Sequence, residues 1–229
     1  MIMKPLLLAL FLLPLMATAE EIDSPWLQQA LQGDRRAQYY LADTWFSADD
    51  MQQSAFWAQK SAAQGDADAM ALLAQITLAG PEADRYTRAR HQAEQAAKAG
   101  SPRGQVVLAR LLVNSQAGST DYPRAIRLLE QAAKNNENDS AVDAQMWLGI
   151  IYANGSGIAE DNDQATRWFK QSSMLSRTGY AEYWAGMLFS QGEKGFIVPN
   201  KQKALQWMNL SCTEGFDTGC EAFEQLSGQ

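Results

Sequence analysis

The chain repeats itself, and the repeat constrains the fold more than any other feature. Aligned on one small residue, five segments superimpose: Ser54-AFWAQKSAAQG, Ala89-RHQAEQAAKAG, Ala125-IRLLEQAAKNN, Ala165-TRWFKQSSMLS and Ala204-LQWMNLSCTEG. Each carries bulky or apolar residues three and four positions on, and small residues seven and eight positions on. A second motif, small-x-x-x-apolar-small, precedes each one: Ala37 to Ala42, Ala69 to Ala74, Gly104 to Ala109, Ala144 to Gly149 and Ala181 to Gly186. The steps are 35, 36, 40 and 39 residues in the first alignment and 32, 35, 40 and 37 in the second. Self-similarity at this period belongs to solenoids, whose units bury their apolar faces against neighbouring units.

The fourth unit shows the physics most plainly. Ala144, Trp147, Leu148 and Ile151 recur at the i, i+3, i+4, i+7 spacing of a helix with one apolar face. Ala144 and Gly149 are small enough for a second helix to approach closely. Asn154-Gly155-Ser156-Gly157 then ends the first helix, because glycine enters left-handed backbone conformations that other residues avoid. Asp161, four residues before Ala165, is placed to cap the free N–H groups that open the second helix. Asp50, Asp121 and Asn200 stand at the same offset from their own anchors. The second repeat departs from this, with Arg85 at that offset and Asp84 one residue earlier. Caps that follow the repeat phase predict helix-turn-helix units.

The pattern A-x-x-x-L-G-x-x-Y-x-x-G-x-G-[VI]-x-x-D-x-x-x-A-x-x-W-[FY] is carried here by Ala144, Leu148, Gly149, Tyr152, Gly155, Gly157, Ile158, Asp161, Ala165, Trp168 and Phe169. It resembles the Sel-one-like repeat, a relative of the tetratricopeptide repeat. The resemblance is specific in the fourth repeat and looser elsewhere. It implies an all-α fold, a right-handed α-solenoid of about five helix-turn-helix repeats plus capping helices, working as an exported bacterial protein-interaction module. The expected organisation is a signal peptide over 1–19, an N-terminal capping helix over 20–34, five repeats over 35–217 and a C-terminal capping helix over 218–229. Ser24 and Pro25 are suited to cap and open the first of these helices. The first repeat has a shortened hairpin loop, the fifth a lengthened one (192–200), and the third extra residues over 135–143. Surface loops tolerate insertions at small entropic cost, so neutral drift is the favoured reading of all three, ahead of a role in specificity.

Lys4, the apolar run Pro5 to Met16 and Ala17-Thr18-Ala19 before Glu20 have the three parts of a secretory signal peptide, too short to span a bilayer. Cleavage near Ala19 predicts a periplasmic or secreted protein. With Lys4 removed the formal charge goes from −7 to −8. An acidic chain without a basic cluster lacks the footprint of a nucleic-acid binder, and nothing after Glu20 reads as a membrane span.

Cys212 lies on the second helix of the fifth repeat and Cys220 on the final helix, with a turn containing Gly215 between them. Antiparallel helices joined by that turn bring the two side chains face to face, in a compartment that permits oxidation. Secreted cysteine-rich members of the resembled family staple hairpins at the same spacing. A Cys212–Cys220 disulfide is therefore expected, with a redox-active or metal-binding pair as the alternative.

Catalytic motifs are scarce. His91 is the only histidine, and neither a G-x-S-x-G elbow nor an S-x-x-K pair occurs in the sequence. Tyr152-Ala153-Asn154 matches a fragment of penicillin-interacting enzymes, but without a nucleophile, and the repeat already accounts for Tyr152. No catalytic residue, cofactor or metal site is assigned. Function falls to the surface. Counting from the small residue that starts each first-helix motif, positions two, six and nine form a stripe that related superhelices turn to the concave side. It holds Tyr39, Asp43 and Phe46; Ala71, Gln75 and Leu78; Val106, Arg110 and Val113; Met146, Ile150 and Ala153; Tyr183, Met187 and Ser190. Tyr39, Asp43, Phe46, Val106, Arg110, Met146, Ile150, Tyr183 and Met187 are the expected partner contacts. Helical spacing leaves open whether the stripe is a groove or a core. Trp147, Trp168, Trp184 and Trp207 are expected in the core.

The resulting expectation is a periplasmic adaptor or an immunity-type binder of a secreted effector or an envelope-complex component. The alternative is a peptidoglycan-binding or penicillin-interacting envelope enzyme. Intact-mass measurement of the protein recovered from the cell envelope should give a chain beginning at Glu20; a chain retaining Lys4 would overturn the signal-peptide reading.

Overall fold

The computed structural model describes residues 25–134, 139–175 and 178–228. The expected signal peptide, Ser24 and the 135–138 part of the third repeat's insertion lie outside the described residues. The described chain is an all-α solenoid. A short α1 (Leu27–Leu31) leads into five hairpins: α2 (Arg35–Ser47) with α3 (Met51–Ala63), α4 (Ala67–Ala79) with α5 (Arg85–Lys98), α6 (Pro102–Val113) with α7 (Tyr122–Ala132), α8 (Asp139–Asn154) with α9 (Asn162–Leu175), and α10 (Tyr180–Gln191) with α11 (Lys201–Thr213). A final helix, α12 (Asp217–Ser227), packs on α11. No helix among the described residues is long and apolar enough to cross a membrane.

The caps fall where the repeat phase puts them. Gln53 N–H donates to Asp50 Oδ1 at 2.9 Å, Arg124 N–H to Asp121 at 3.0 Å, Gln164 N–H to Asp161 at 2.9 Å and Lys203 N–H to Asn200 at 3.0 Å. Asp84 makes no such bond, in keeping with its shifted position. The first helices have caps of their own: Asp34 accepts from Ala37 N–H, Asp66 from Ala69 N–H and Ser101 from Gly104 N–H, at 2.7–3.0 Å.

Small residues set the helix crossings. Gly104 of α6 sits against α5 so closely that an added Cβ would lie 2.6 Å from Ala96 Cβ and 2.8 Å from the Ala97 nitrogen. Gly219 of α12 meets α11 the same way at Ser211. One residue beyond that crossing, Cys212 and Cys220 are joined as a disulfide with Cα atoms 4.4 Å apart. Ser61 and Ala69, at the matching places of the first and second repeats, are both fully buried. The second small position of each first helix faces the helix's own partner, and Gly149 there lies directly beneath the buried Phe169 ring of α9.

First helices also touch one another along the inner side: α2 meets α4, α4 meets α6, and α6 meets α8. Trp147 and Trp207 are buried and Trp168 is half-buried. Trp184 is 41% exposed and corrects the sequence expectation. Its position, third after the small residue, is buried in the middle repeats as Leu72, Val107 and Trp147, and exposed only in the first and fifth, as Tyr40 and Trp184. Among the described residues, only α1 and α12 stand beyond those two repeats.

Gly149→Ala should test the crossing geometry. The added methyl falls on the fully buried Phe169 ring, so a loss of about 1–3 kcal/mol is expected in chemical denaturation. An unchanged midpoint would mean that the helices do not approach this closely.

Candidate binding groove

The stripe of positions two, six and nine divides into two parts. Toward its N-terminal end, Tyr39, Asp43, Phe46, Gln75 and Leu78 are half-buried. In the middle, Ala71, Val106, Val113, Ile150 and Ala153 are buried, so Val106 and Ile150 are core residues and not partner contacts. Arg110, Met146, Tyr183, Met187 and Ser190 remain partly accessible.

The middle is closed by the chain itself. The long hairpin loop of the fifth repeat folds across the ends of α6 and α8. Ser115 N–H donates to Gly195 O at 2.8 Å, Asn114 Nδ2 to Lys194 O at 3.2 Å, and Asn154 Nδ2 to Phe196 O at 3.1 Å. Within the loop, Glu193 and Ile197 exchange backbone bonds of 2.8 and 2.9 Å. Gly195 has φ +86°, and a side chain there would collide with Asn114 and Gln116. Phe196 and Ile197, 7% and 3% exposed, join the core that contains Val113, Ile150 and Ala153, with the Phe196 ring 6.0 Å from that of Trp147. This insertion is a structural plug, which corrects the reading of that loop as neutral drift. Asn114 and Asn154 hold equivalent places at the ends of their helices, and both hold backbone carbonyls of the loop.

What stays open is a cleft of about 480 Å³ lined by Arg36, Tyr39, Tyr40, Asp43, Phe46, Gln75, Arg103, Asp139, Ser140 and Asp143, among others. Arg103 organises it. Its Nη1 donates to Asp43 Oδ1 at 2.5 Å and to Tyr39 Oη at 3.2 Å, its Nε to Gln75 Oε1 at 2.7 Å, and its guanidinium lies 5.7 Å from the centre of the Phe46 ring. One side chain from α6 thereby ties together α2 and α4. Burial alone would lower the Arg103 pKa, but Tyr39 and Asp43 outweigh it and raise it, so the cation is secure. Burial raises the Tyr39 hydroxyl, against the pull of Arg103.

Arg36 is tied in the same way, to Asp66 and Asp68 at 3.2 Å each, with Tyr40 accepting from it at 3.4 Å. Asp143 reaches solvent, but the walls of the concavity desolvate it and hold its carboxyl above the usual range, while Arg110 and Arg103 pull it down. Arg103, Arg36 and Asp143 all stand one residue before the small residue that starts their helix. That position is one turn from position two of the stripe, and the chosen phase missed it. The alternation of Arg36, Asp68, Arg103 and Asp143 along successive first helices was the signal that could have found it. Among the described residues, no three of His, Cys, Asp and Glu gather as a metal site.

The Sel1 repeat model matches residues 35–66, 67–101, 102–137, 142–176 and 179–216. The Sel1-repeat-containing protein YjcO of Escherichia coli K12 is 59% identical over 227 residues, covering 98% of this chain and 99% of that protein. A crystal structure described as a sel1 repeat protein from Klebsiella pneumoniae is 62% identical and aligns with a TM-score of 0.85, over 89% of this chain and 98% of that one. A Sel1 repeat protein from Oxalobacter formigenes, 23% identical, shares the fold at a TM-score of 0.55 over 81% of this chain and 74% of its own.

Phe196→Ala should lower stability by about 3 kcal/mol, the scale for truncating a buried ring. Exchange of the Ser115 amide hydrogen should accelerate with it, since that amide is held by the loop. Loss of stability with Ser115 protection intact would separate the core from the plug.

Proposed function

Because this chain belongs to the Sel1-repeat family, a family of protein-interaction repeats, we propose that it is a periplasmic binding module whose open concave cleft receives a segment of another protein. The observation that carries this reading is the loop of the fifth repeat. It folds into the same concave face as a tight turn, held by side chains from helix ends and by the apolar core, and leaves a cleft open in the N-terminal half of that face. Tyr39, Tyr40 and Phe46, with Arg36 and Arg103, give that half the aromatic and arginine content that dominates binding energy at protein interfaces. The Arg103 network is fixed before any partner arrives, which lowers the ordering cost of association. Envelope adaptor and immunity-type binder are both uses of such a surface. The penicillin-interacting alternative rests on the Tyr152-Ala153-Asn154 fragment, without an S-x-x-K pair in the sequence.

The test is capture of partners from the native envelope after in-cell cross-linking, using the chain from residue 20 onward. A double variant, Ser47→Arg with Ser140→Arg, fills the mouth of the cleft from positions that carry no core packing. A stoichiometric protein partner that is retained by the wild type and lost by the variant, at unchanged melting temperature, is the expected result. A partner held equally by both moves binding off this face, and covalent labelling by a penicillin would replace the reading altogether.

A further inference from the structure

Six charged residues line the open cleft, and the bonds among them leave a remainder of one sign. Arg36 is bonded to Asp68, and Arg103 to Asp43. Each of these cations also lies on aromatic rings. Arg36 is 5.0 and 5.1 Å from the centres of Tyr39 and Tyr40, and Arg103 is 5.7 Å from that of Phe46. What is left is Asp139 and Asp143, both on the α8 wall. Neither carboxylate has a hydrogen bond or an ion pair among the described residues. They stand one turn apart, where like charges repel and weaken a helix. Asp143 also ends a row. The residue before the first small position reads Arg36, Asp68, Arg103, Asp143 and Tyr180 along the five first helices, so charge alternates as far as the fourth and then stops. Arg103 turns to Asp43 and Arg110 lies on Trp147, and both attract Asp143 without bonding it. Their pull does not offset the desolvation of its carboxylate by the walls of the cleft.

We propose that the α8 wall of the cleft is the subsite for a basic side chain, Lys or Arg, of the bound segment. This rests on the peptide-binding reading given above and deepens it. A cation placed between Asp139 and Asp143 relieves their repulsion and supplies charge-assisted hydrogen bonds that no described residue supplies. It completes on α8 the pairing of cation with carboxylate that Arg36 and Arg103 already show. Tyr39, Tyr40 and Phe46 of the same cleft offer apolar surface to the aliphatic stem of such a side chain. Arg36 and Arg103, each neutralised by a bonded carboxylate, leave the attraction in place. The −7 of the whole chain draws the same sign of charge from a distance.

The experiment is selection of a phage-displayed random dodecapeptide library on the chain from residue 20 onward, with the Ser47→Arg/Ser140→Arg protein as the counter-selection. Enriched sequences should share a Lys or Arg at one place. Synthetic copies, acetylated at the N-terminus, should bind the wild type and lose roughly tenfold or more with Asp139→Asn/Asp143→Asn. Asp139→Glu/Asp143→Glu keeps both charges and should retain binding; a loss equal to that of the Asn pair would overturn the role of charge. Glu221→Gln/Glu224→Gln changes net charge by the same amount at exposed places on α12 and should leave affinity within about twofold. Equal losses in that pair and the Asn pair would reduce the effect to bulk attraction and overturn the subsite. Enriched peptides without a basic preference, or indifferent to Asp139→Asn/Asp143→Asn, would overturn the subsite and leave the groove standing. Affinity that requires a free N-terminal amine would overturn the side-chain assignment. No enrichment over the counter-selection would overturn both the subsite and the groove.

Discussion

Each first helix of the solenoid is gripped from two sides at two small residues, and the rest of the molecule follows from that grip. At the first small position Gly104 meets the second helix of the unit before it, at the other Gly149 and Gly186 meet their own partners, and the alanines at the matching positions are all buried. Backbones that come this close leave no slack, because interiors pack at crystal-like density. The first helices are thereby drawn onto one another along the inner side, and that contact creates the concave face. The Cys212–Cys220 bond sits where it does for the same reason. Only a crossing of this tightness places two Cα atoms 4.4 Å apart on adjacent helices.

The groove is less a feature of the repeat than of how one unit breaks it. Positions that would form a continuous stripe in an ideal array are sealed at Val113, Ile150 and Ala153 by a loop of the fifth repeat. That loop contributes two apolar side chains and three backbone carbonyls, and the acceptors are matched by groups at the ends of α6 and α8. Recognition through backbone carbonyls is indifferent to sequence, whereas Phe196 and Ile197 supply the buried area. The plug thus stabilises the third and fourth repeats and seals the middle of the concave face.

What could be read from the chain divides along sequence distance. Period, helix pairing, the capping aspartates and the disulfide are all local or nearly so, and the spacing of a few residues encodes each of them. Asn114 and Lys194 are 80 residues apart, and nothing at either place in the sequence points to the other. The insertion therefore read as drift. Trp184 was misplaced for a related reason: repeat position predicts burial only where a further repeat supplies the cover, and among the described residues only α12 follows the fifth repeat. Arg103 was overlooked because the stripe was drawn through positions two, six and nine, while the charged residues that organise the cleft stand one place before the motif. Arg110 was legible as a position on the concave face. That its Nε would be buried without an acceptor was not, since this depends on the Trp147 ring and the chain packed around it.

The two arginines of α6 show how one helix can anchor the same side chain in two ways. Arg103 spends its hydrogen-bonding capacity inside the molecule, joining α2 and α4 across the floor of the cleft. Removing any one of its partners would leave a half-buried charge under-matched, so the network fixes the curvature of the first three repeats. Arg110, two turns on, has the same chemistry and an aromatic ring beneath it, without a carboxylate within bonding reach. The charge that faces it is Asp143 of α8, which attracts it from beyond bonding distance. The solenoid therefore holds one arginine by hydrogen bonds across three helices and the other by stacking on Trp147, beside the point where its internal plug ends.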